Sequence, residues 1–460
     1  QGRSSDRGCR ERNYRISVYY LIDVAGMLTK DHNKKYQCLY ASIFLLVTAV
    51  CTTLHAQTVA DNPFPPAADP DRIVLNVTQD PSTSVGINWR TCDTVRIGFV
   101  EIMPVTANPE TVSKAMSHPA VSEPFRFENI RATYHSAVVR NLSPATRYMY
   151  RVGTNSHWSE WFHITTAGRV GDKLSFIYLG DAQAGIKSLW PRVIRTAYAK
   201  MPDANLILYA GDIVNSGNSD LEWGELFYGG GFIHSSIPGM PSPGNHEYAR
   251  TGDTLSAFWR PQFTLPENGP EGLKETSYYT DVQGMRFISI NSYRVEESDQ
   301  DMSRQKLWVD SLLANNPNKW TAVVFHHPFY SIRPTRDNTR MRETFKALFD
   351  KYKVDIVLQG HDHAYARGMD KIPRAEPDKK NKPGTMYVLS VSGSKMSSAF
   401  EGTWMDVSAT YTQLFQLITV EKNTLSYKAY TATGELYDAF DLVKQKREPN
   451  KLIERKPGKK

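Results

Sequence analysis

The sequence predicts two folded domains, a β-sandwich followed by a larger domain in which strands and helices alternate. Between residues 70 and 168, short apolar runs recur at close spacing, and those at 84–89 and 96–100 alternate apolar and polar residues. A period of two is typical of strands with one buried face, and several such strands indicate a sandwich. From Lys173 onward, apolar runs alternate with helical patterns, which is typical of a sheet covered by helices.

The residues before the sandwich are predicted to form a leader and a linker. Within residues 1–56, an upstream segment is followed from about Met27 by a secretory signal, with three lysines between residues 30 and 35 and a largely apolar stretch at 38–54. A membrane anchor is the alternative, but a span needs about 20 apolar residues and this stretch is shorter. We therefore expect export to the periplasm, the extracellular space or the cell surface, and no transmembrane span in the mature protein. Residues 57–69, rich in Pro, Ala and Asp, are predicted to form the linker.

The positive charge of the chain lies at its two ends. Of the formal net charge of +7, residues 1–56 contribute +4 and the tail 444–460 contributes +6, so the remaining residues carry −3. A nucleic-acid-binding surface is therefore not expected, and the tail is predicted to be a solvated, disordered extension. Three of the four cysteines fall in the leader, which leaves Cys92 alone and excludes an internal disulfide in the folded part.

The sandwich over residues 70–168 offers no cluster of metal-ligating or catalytic residue types. The segment 142–150 resembles the turn of a fibronectin type III domain into a late strand, where that fold places a tyrosine at the corner. We interpret this domain as a scaffold or as a wall of the substrate cleft. Carbohydrate or partner binding is the alternative.

In the second domain, five apolar runs each lead into a turn of polar side chains that suit metal binding. These turns contain Asp181 and Gln183, Asp212, Asn245 to Glu247, His326 and His327, and His361 to His363. Open α/β sheets hold their ligands at the carboxyl ends of the strands, so we expect these side chains to meet. Carboxylates, an amide oxygen and imidazoles suit divalent or trivalent ions. The set exceeds what one ion needs, and a carboxylate between two groups of ligands can bridge two ions. The alternative is a set of polar loops without a metal.

The five turns resemble those of the calcineurin-like metallophosphoesterases and, more closely, those of the purple acid phosphatases. The closest likeness lies between residues 351 and 365. The resemblance implies a fibronectin type III-like sandwich over residues 70–168 and a four-layer α/β/β/α metallophosphoesterase domain over residues 169–443. It also implies that Asp212 bridges two metal ions. One ion would be completed by Asp181 and His363, and the other by Asn245, His326 and His361.

The resemblance further implies roles for the residues around the metal ions. His246 would contact the phosphate and protonate the leaving oxygen as the catalytic residue, and Asn245 would also contact the substrate. Glu247 is interpreted as a carboxylate that holds His246 or a neighbour. His327 either faces the substrate or is structural. Arg367 either binds phosphate or pairs with a carboxylate, and the carboxylate pair is favoured.

Three positions depart from the purple acid phosphatases. Asn215 replaces their metal-bound tyrosine, so we expect a protein without the purple colour, and Tyr209 is predicted to pack in the core. Gln183 replaces a glycine, at a position where many other metallophosphoesterases have a histidine ligand, and its amide oxygen is expected to bind metal. Residues 332–336 replace a substrate-contacting histidine pair, and their arginines either bind phosphate or are solvated. Without a phenolate, two divalent ions drawn from Mn, Zn and Fe are favoured.

The predicted function is that of an exported phosphatase with two metal ions, which hydrolyses small phosphate monoesters by attack of a metal-bound hydroxide. One alternative is a phosphodiesterase that acts on nucleotides or lipid headgroups. The other is a non-catalytic adhesion module whose metal domain has decayed, and the intact set of ligand types argues against it. The sequence leaves the oligomeric state open.

Overall fold

The computed structural model describes residues 62–154, 156–249, 254–333, 336–369, 384–398, 404–446 and 448–455. The predicted leader and the first part of the predicted linker lie outside the described residues.

The N-terminal domain is a β-sandwich, as predicted. Its strands are β1 Asp71–Asn76, β2 Val85–Cys92, β3 Phe99–Pro104, β4 Met116–Pro119, β5 Val121–Phe127, β6 Ile130–Val139, β7 Arg147–Thr154, β8 His157–Trp158 and β9 Phe162–Thr165, with a 3-10 helix at Pro109–Lys114. Strands β1, β2, β6 and β5 lie in one sheet, and β4, β3, β7 and β8 lie in the other, with β9 beside β7. Trp89 and Tyr150 help to fill the core between them. The Tyr148 hydroxyl accepts a hydrogen bond from the Ser143 N–H at 2.8 Å, which is the expected corner contact.

The second domain alternates strands and helices over most of its length. Its strands are β10 Leu174–Leu179, β11 Leu206–Ala210, β12 Gly239–Ser242, β13 Tyr278–Val282, β14 Met285–Ser289, β15 Trp320–Val324, β16 Ile356–Gln359, β17 Tyr365–Met369, β18 Met386–Leu389, β19 Val407–Ala409, β20 Leu414–Glu421, β21 Thr424–Thr431, β22 Leu436–Val443 and β23 Lys451–Glu454. Its helices are α1 Trp190–Lys200, α2 Asp220–Gly230, α3 Trp259–Gln262, α4 Ser292–Glu297, α5 Asp299–Ala314 and α6 Thr339–Tyr352, with 3-10 helices at Gly231–Ile233 and Asn245–Glu247.

The four layers predicted for the second domain are confirmed. One layer is formed by β10, β11, β12 and β20 to β23, and the second sheet has the order β13-β14-β15-β16-β18-β17-β19. Phe176 of β10 meets Phe287 of β14 edge to face, with ring centroids 5.1 Å apart, so the two sheets pack on each other. Helices α1 and α2 bury apolar side chains with the first sheet, and α4, α5 and α6 do so with the second. In α6 the buried stripe Met341, Phe345 and Phe349 has the spacing of one helical face.

The sandwich and the second domain share one continuous sheet. Strand β1 pairs in parallel with β12, with Asn76 opposite Gly239, and this joins the sandwich strands to β11 and β10. The backbone N–H of Val77 donates to the Gly239 carbonyl at 3.1 Å. Arg72 and Arg90 both reach the buried Asp220 of α2, at 2.8 Å and 3.1 Å. Sandwich and second domain therefore belong to one compact unit, and the predicted boundary between residues 168 and 169 remains a prediction.

The predicted solvated tail is wrong for the described residues beyond Val443. Strand β23 adds to the sheet edge through antiparallel pairing with β22. Lys444 donates to the fully buried Asp355 at 2.5 Å, so the charge of this buried carboxylate is compensated by a lysine. Part of the positive charge of the tail is therefore engaged in ion pairs within the fold and is not free in solvent. Among the residues that the structure describes, no helix is both long and apolar enough to cross a membrane.

Candidate metal centre

The polar turns of the second domain meet at one edge of the two packed sheets. Asp181 follows β10, and Asp212 follows β11, while the 3-10 helix Asn245–Glu247 follows β12. From the other sheet, His326 follows β15, and the segment 361–363 follows β16. Neighbouring strands run in parallel, with Ala210 opposite Ser242 and Val324 opposite Leu358, so their carboxyl ends lie at the same level. This placement is the one that the strand-end argument predicts.

Asp212 is shared by two groups of ligand atoms. Asp212, His326 and His361 form one group, and Asp181, Asp212 and His363 form the other; within each, the ligand atoms lie within 4.8 Å of one another. We call the side with His326, His361 and Asn245 the His326 half, and the side with Asp181, Gln183 and His363 the His363 half. These two groups divide Asp181, Asp212, His326, His361 and His363 in the way that the resemblance implies.

Asp212 is held in place by contacts to both of its carboxylate oxygens. Oδ2 lies 3.0 Å from His326 Nε2, and Oδ1 accepts the backbone N–H of His246 at 2.9 Å. Burial works to raise the pKa of Asp212, but the neighbouring His326 outweighs it and lowers the pKa below its usual range. The carboxylate is therefore ionised and available as a bridging ligand.

The His326 half is preorganised for metal binding. His326 Nδ1 donates to the Ala210 carbonyl at 2.8 Å, which turns Nε2 toward the cluster. The Asn245 Oδ1 atom and the His361 Nδ1 atom lie 3.1 Å and 3.0 Å from this Nε2. Burial opposes protonation of His326, but Asp212 and then Asp181 outweigh it and raise its pKa to about 9. Burial lowers the pKa of His361 well below the usual value, so this imidazole is neutral.

The His363 half differs in having a glutamine at its centre. His363 Nε2 lies 3.7 Å from Asp181 Oδ1, and burial with the nearby Lys395 lowers the pKa of His363 to about 3. The Gln183 amide nitrogen donates to Asp212 Oδ2 at 2.8 Å and lies 3.1 Å from His363 Nε2. The Gln183 oxygen instead accepts from Lys395 at 3.1 Å. The expected metal contact of the amide oxygen is thus contradicted in this orientation, because an amide N–H₂ group donates and cannot bind a cation.

His246 lies beside the shared aspartate and is partly exposed to solvent. Its Nδ1 donates to the Asn215 carbonyl at 2.5 Å, and its Nε2 lies 3.8 Å from Asp212 Oδ2. The side chain is 19% exposed, so a substrate can reach it. His246 is therefore accessible beside the shared carboxylate, and its role toward the substrate stays a prediction.

Glu247 holds the turn of Asp212 rather than the His246 side chain. It is fully buried, and it accepts the backbone N–H groups of Asp212, Ile213, Val214 and Gly244 at 2.7–3.3 Å. Burial, and next the charge of Asp212, raise its pKa to about 7. Of the two alternatives predicted for Glu247, the structure favours the support of a neighbour.

His327 and Arg367 lie in different surroundings. His327 Nδ1 lies 2.9 Å from the Ser292 hydroxyl, and its ring centroid is 4.4 Å from that of His361, so it is anchored beside a candidate ligand. Arg367 does not join the cluster. Its fully buried guanidinium donates to Asp438 at 2.7 and 2.9 Å and to Glu454 at 2.9 and 2.7 Å. The substrate-binding role of Arg367 is therefore wrong, because all of its charge is committed to carboxylates.

Four candidate ligands have left-handed backbone conformations. The φ angles of Asp181, Asp212, His361 and His363 are 40°, 47°, 79° and 46°. Such angles are uncommon for residues with a side chain, and they cluster at functional sites when the surroundings enforce them. Gly211, with φ of 82°, completes the Asp212 turn; a Cβ there would lie 2.6 Å from His326 Nδ1. The sharp turns direct the side chains inward, across the ends of the sheets.

The sequence reasoning missed Lys395. This residue follows β18 in a serine- and glycine-rich turn, so it obeys the same strand-end rule as the five turns that were recognised. It was overlooked because lysine is not a metal ligand. Tyr209, by contrast, is buried as predicted, and its hydroxyl lies 3.4 Å from His234 Nδ1.

The chemistry of the donor set fits two metal ions. Asp181 and Asp212 are both buried, and burial raises the pKa of Asp181 well above its usual range, with Asp212 adding to the effect. Two buried carboxylates side by side need cations, and His326 supplies only part of that charge. Oxygen and imidazole donors on either side of Asp212 suit divalent first-row metals.

Comparison with known proteins agrees with this arrangement. Residues 70–166 match the N-terminal domain of purple acid phosphatases, and residues 174–365 match the calcineurin-like phosphoesterases. Purple acid phosphatase 21 of Arabidopsis thaliana is 26% identical over 269 residues, which cover 56% of this chain and 59% of the relative. Probable inactive purple acid phosphatase 24 of the same plant is 23% identical over 361 residues, which cover 68% and 58%. The chain thus spans less than two thirds of the length of these relatives.

A solved structure shares the fold. The purple acid phosphatase PPD1 from yellow lupin seeds superposes with a TM-score of 0.67, over 82% of this chain and 74% of the lupin chain, at 19% sequence identity. At that identity the likeness concerns the fold alone. It extends across both the sandwich and the four-layer domain.

Proposed function

We propose that this chain hydrolyses phosphate esters with two metal ions, because residues 174–365 match the calcineurin-like phosphoesterases and residues 70–166 match the N-terminal domain of purple acid phosphatases. The observation that carries the proposal is the position of Asp212, which contributes to both groups of ligand atoms. A carboxylate shared in this way is what a pair of ions requires. The ions are two divalent metals drawn from Mn, Zn and Fe, since the donors are carboxylate, amide and imidazole groups.

In this proposal, the residues of the cluster and its surroundings have different roles. Asp181, Asp212, Asn245, His326, His361 and His363 hold the ions. Two bound cations activate water and offset the negative charge on phosphorus-bound oxygens. Asn245 and His246 orient the phosphate at the open side of the cluster. His246 donates a proton from Nε2 to the leaving oxygen, while its Nδ1 stays bound to the Asn215 carbonyl.

We propose phosphate monoesters as the substrates, in preference to diesters. Lys395 contacts Gln183 of the His363 half, and Arg333 contacts Ser397 nearby, so positive charge lies beside the cluster, and a monoester carries more negative charge than a diester. A non-catalytic protein is the opposing proposal, and one similar relative is named as probably inactive. The retained ligand set favours the enzyme, because buried carboxylates without a metal would be costly to keep.

The test is to measure metal content and turnover on the same purified protein. We expect about two metal ions per chain, with p-nitrophenyl phosphate hydrolysed faster than bis-p-nitrophenyl phosphate. Loss of turnover on chelation, and recovery when metal is returned, would tie activity to the ions. Turnover of neither substrate with two ions bound would refute the enzyme, and preference for the diester would refute the monoester assignment.

We also propose export, on the basis of the secretory signal that begins at about Met27. The expected result is recovery of the chain outside the cytoplasm, shortened at its N-terminus after about residue 56. The matched control lacks residues 27–56 and should stay inside the cell. Retention of the complete chain in the cytoplasm would contradict the proposal.

A further inference from the structure

The turn that carries Lys395 is tied to the His363 half at two points. The Gly393 N–H donates to the Asp181 carbonyl at 2.8 Å, and the Ser397 N–H donates to the His363 carbonyl at 3.0 Å. A Cβ at residue 393 would lie 2.5 Å from the Asp181 carbonyl oxygen, so only glycine allows this approach. Lys395 sits between these anchors, and its ammonium group points at Gln183 Oε1. The lysine is therefore held at the edge of the cluster although its stem is exposed to solvent.

Arg333 brings a second cation to the same side. Its Nη2 atom donates to the Ser397 hydroxyl at 2.7 Å, on the residue that anchors the turn to His363. Each cation contacts a residue that in turn contacts His363, since the Ser397 N–H donates to the His363 carbonyl and Gln183 Nε2 lies 3.1 Å from His363 Nε2. The two positive groups thus share one neighbourhood beside the His363 half.

A third cation nearby, Arg336, is paired with a buried carboxylate and has a structural role. Arg336 forms an ion pair with the fully buried Asp362, which also accepts the Ile332 N–H at 2.9 Å. Among the described residues, Lys395 and Arg333 have no carboxylate within ion-pair distance. Two cations beside a site for two metal ions repel each other and the metals, unless an anion lies between them.

We propose that Lys395 and Arg333, with the Ser397 hydroxyl, form an accessory site for a second phosphate group of the substrate. The preferred substrates then carry two phosphates directly side by side, as in organic diphosphates. One amide group, that of Gln183, separates Lys395 from Asp212, so the accessory site lies next to the scissile phosphate rather than at a distance. This inference rests on the proposed phosphatase function, whose substrate class it narrows.

ADP and AMP are suitable probes, because they differ only by one phosphate. In the metal-loaded full chain, we expect kcat/KM for phosphate release to be about tenfold higher with ADP than with AMP. Lys395→Gln and Arg333→Gln should each reduce this ratio severalfold, and the double variant should bring it close to one. Lys395→Arg should keep most of the preference, since it restores the charge. Lys428→Gln removes an exposed lysine on β21 and serves as the matched control, with an unchanged ratio.

Three outcomes would overturn the accessory site. They are an ADP to AMP ratio near one in the wild type, a ratio unchanged in the double variant, and an equal loss for both substrates. The last would mean that the cations bind the scissile phosphate. If the wild type releases phosphate from neither AMP nor p-nitrophenyl phosphate, the phosphatase proposal fails by itself. Calorimetric binding of ADP and AMP then tests the site, and tighter ADP binding that is lost in the double variant would still support it.

Discussion

The two halves of the metal cluster are built from similar donors but are embedded differently. In the His326 half, an imidazole is turned inward by a backbone carbonyl and bears a proton, because two carboxylates raise its pKa to about 9. In the His363 half, the imidazole is neutral, with a pKa of about 3, because burial and the nearby Lys395 outweigh the effect of Asp212. The His326 half is therefore arranged for metal binding, whereas the His363 half also has cations at its outer edge.

The two halves also differ in how strongly their surroundings depend on strand pairing. The Ala210 carbonyl that orients His326 belongs to the last residue of β11, so its position follows from the sheet. Lys395 and Arg333 reach the His363 half from turns, which can change without disturbing strand pairing. Substitutions at these two residues can therefore change the charge beside the His363 half without disturbing strand pairing.

Removal of the ligand common to both halves has the largest expected effect. Asp212→Ala should lose both ions, or reduce turnover by about a thousandfold or more, since neither half keeps its complete set of ligands. Elemental analysis and turnover of p-nitrophenyl phosphate measure this. Asp203→Ala, at an exposed aspartate, is the control and should behave like the wild type. A variant at residue 212 with wild-type turnover would show that the halves do not share this ligand.

Removal of His246 should leave both halves loaded while slowing the reaction. A general acid matters most for a poor leaving group, so His246→Ala should slow an alkyl phosphate by about a hundredfold and an aryl phosphate much less. Rates with glycerol phosphate and p-nitrophenyl phosphate, at equal metal content, make the comparison. An equal loss on both substrates would indicate that His246 only positions the phosphate.

The halves should differ in the pH dependence of metal binding. Without metal, His326 is protonated below about pH 9, so a metal ion must displace that proton, and its affinity should rise about tenfold per pH unit between pH 7 and 9. His363 is already neutral above about pH 3, so its imidazole releases no proton over the same range, and the proton that can be released at its half is that of Asp181, whose pKa burial raises. Calorimetry of His363→Ala and His326→Ala, in buffers of different ionisation enthalpy, reports the protons released. Because Asp181 is present in both variants, the variant that keeps His326 should release about one proton more at pH 7 than the variant that lacks it.

The smallest expected signal concerns colour. Asn215 supplies no phenolate, and the Tyr209 hydroxyl is buried against His234, so the iron-loaded protein should lack a strong visible charge-transfer band. A visible spectrum beside the elemental analysis is the measurement. A strong band that survives Tyr209→Phe would mean that another tyrosine binds the metal, and the comparison of the two halves would have to include it.

The sequence was sufficient to place most of the cluster, for a physical reason. A buried strand that ends in a polar turn is a local pattern, and parallel strands bring such turns together without any further information. The positions of Asp181, Asp212, His326 and His361 follow from that rule. The same rule applied to β18 would have led to Lys395, so this omission came from the choice of residue types.

Other features depend on contacts that no local pattern reveals. The pairing of β1 with β12 joins residues Asn76 and Gly239, which are far apart in the chain. The partners of Arg367, Asp438 and Glu454, lie on the last two strands, and one of them belongs to the segment that composition alone marks as a solvated tail. The direction of the Gln183 amide depends on Lys395, a neighbour supplied by a distant turn.

The left-handed backbone at four candidate ligands should lower the stability of the protein before metal binds. Each such residue costs about 1–3 kcal/mol, and the sum is comparable to the whole stability of a typical domain. Bound metal can offset this cost only after it arrives, since a ligand stabilises the state that binds it. We therefore expect the unloaded chain to be more sensitive to protease than the metal-loaded chain. The abundance of the protein in a cell should therefore follow metal availability, even where the rate of its synthesis does not change.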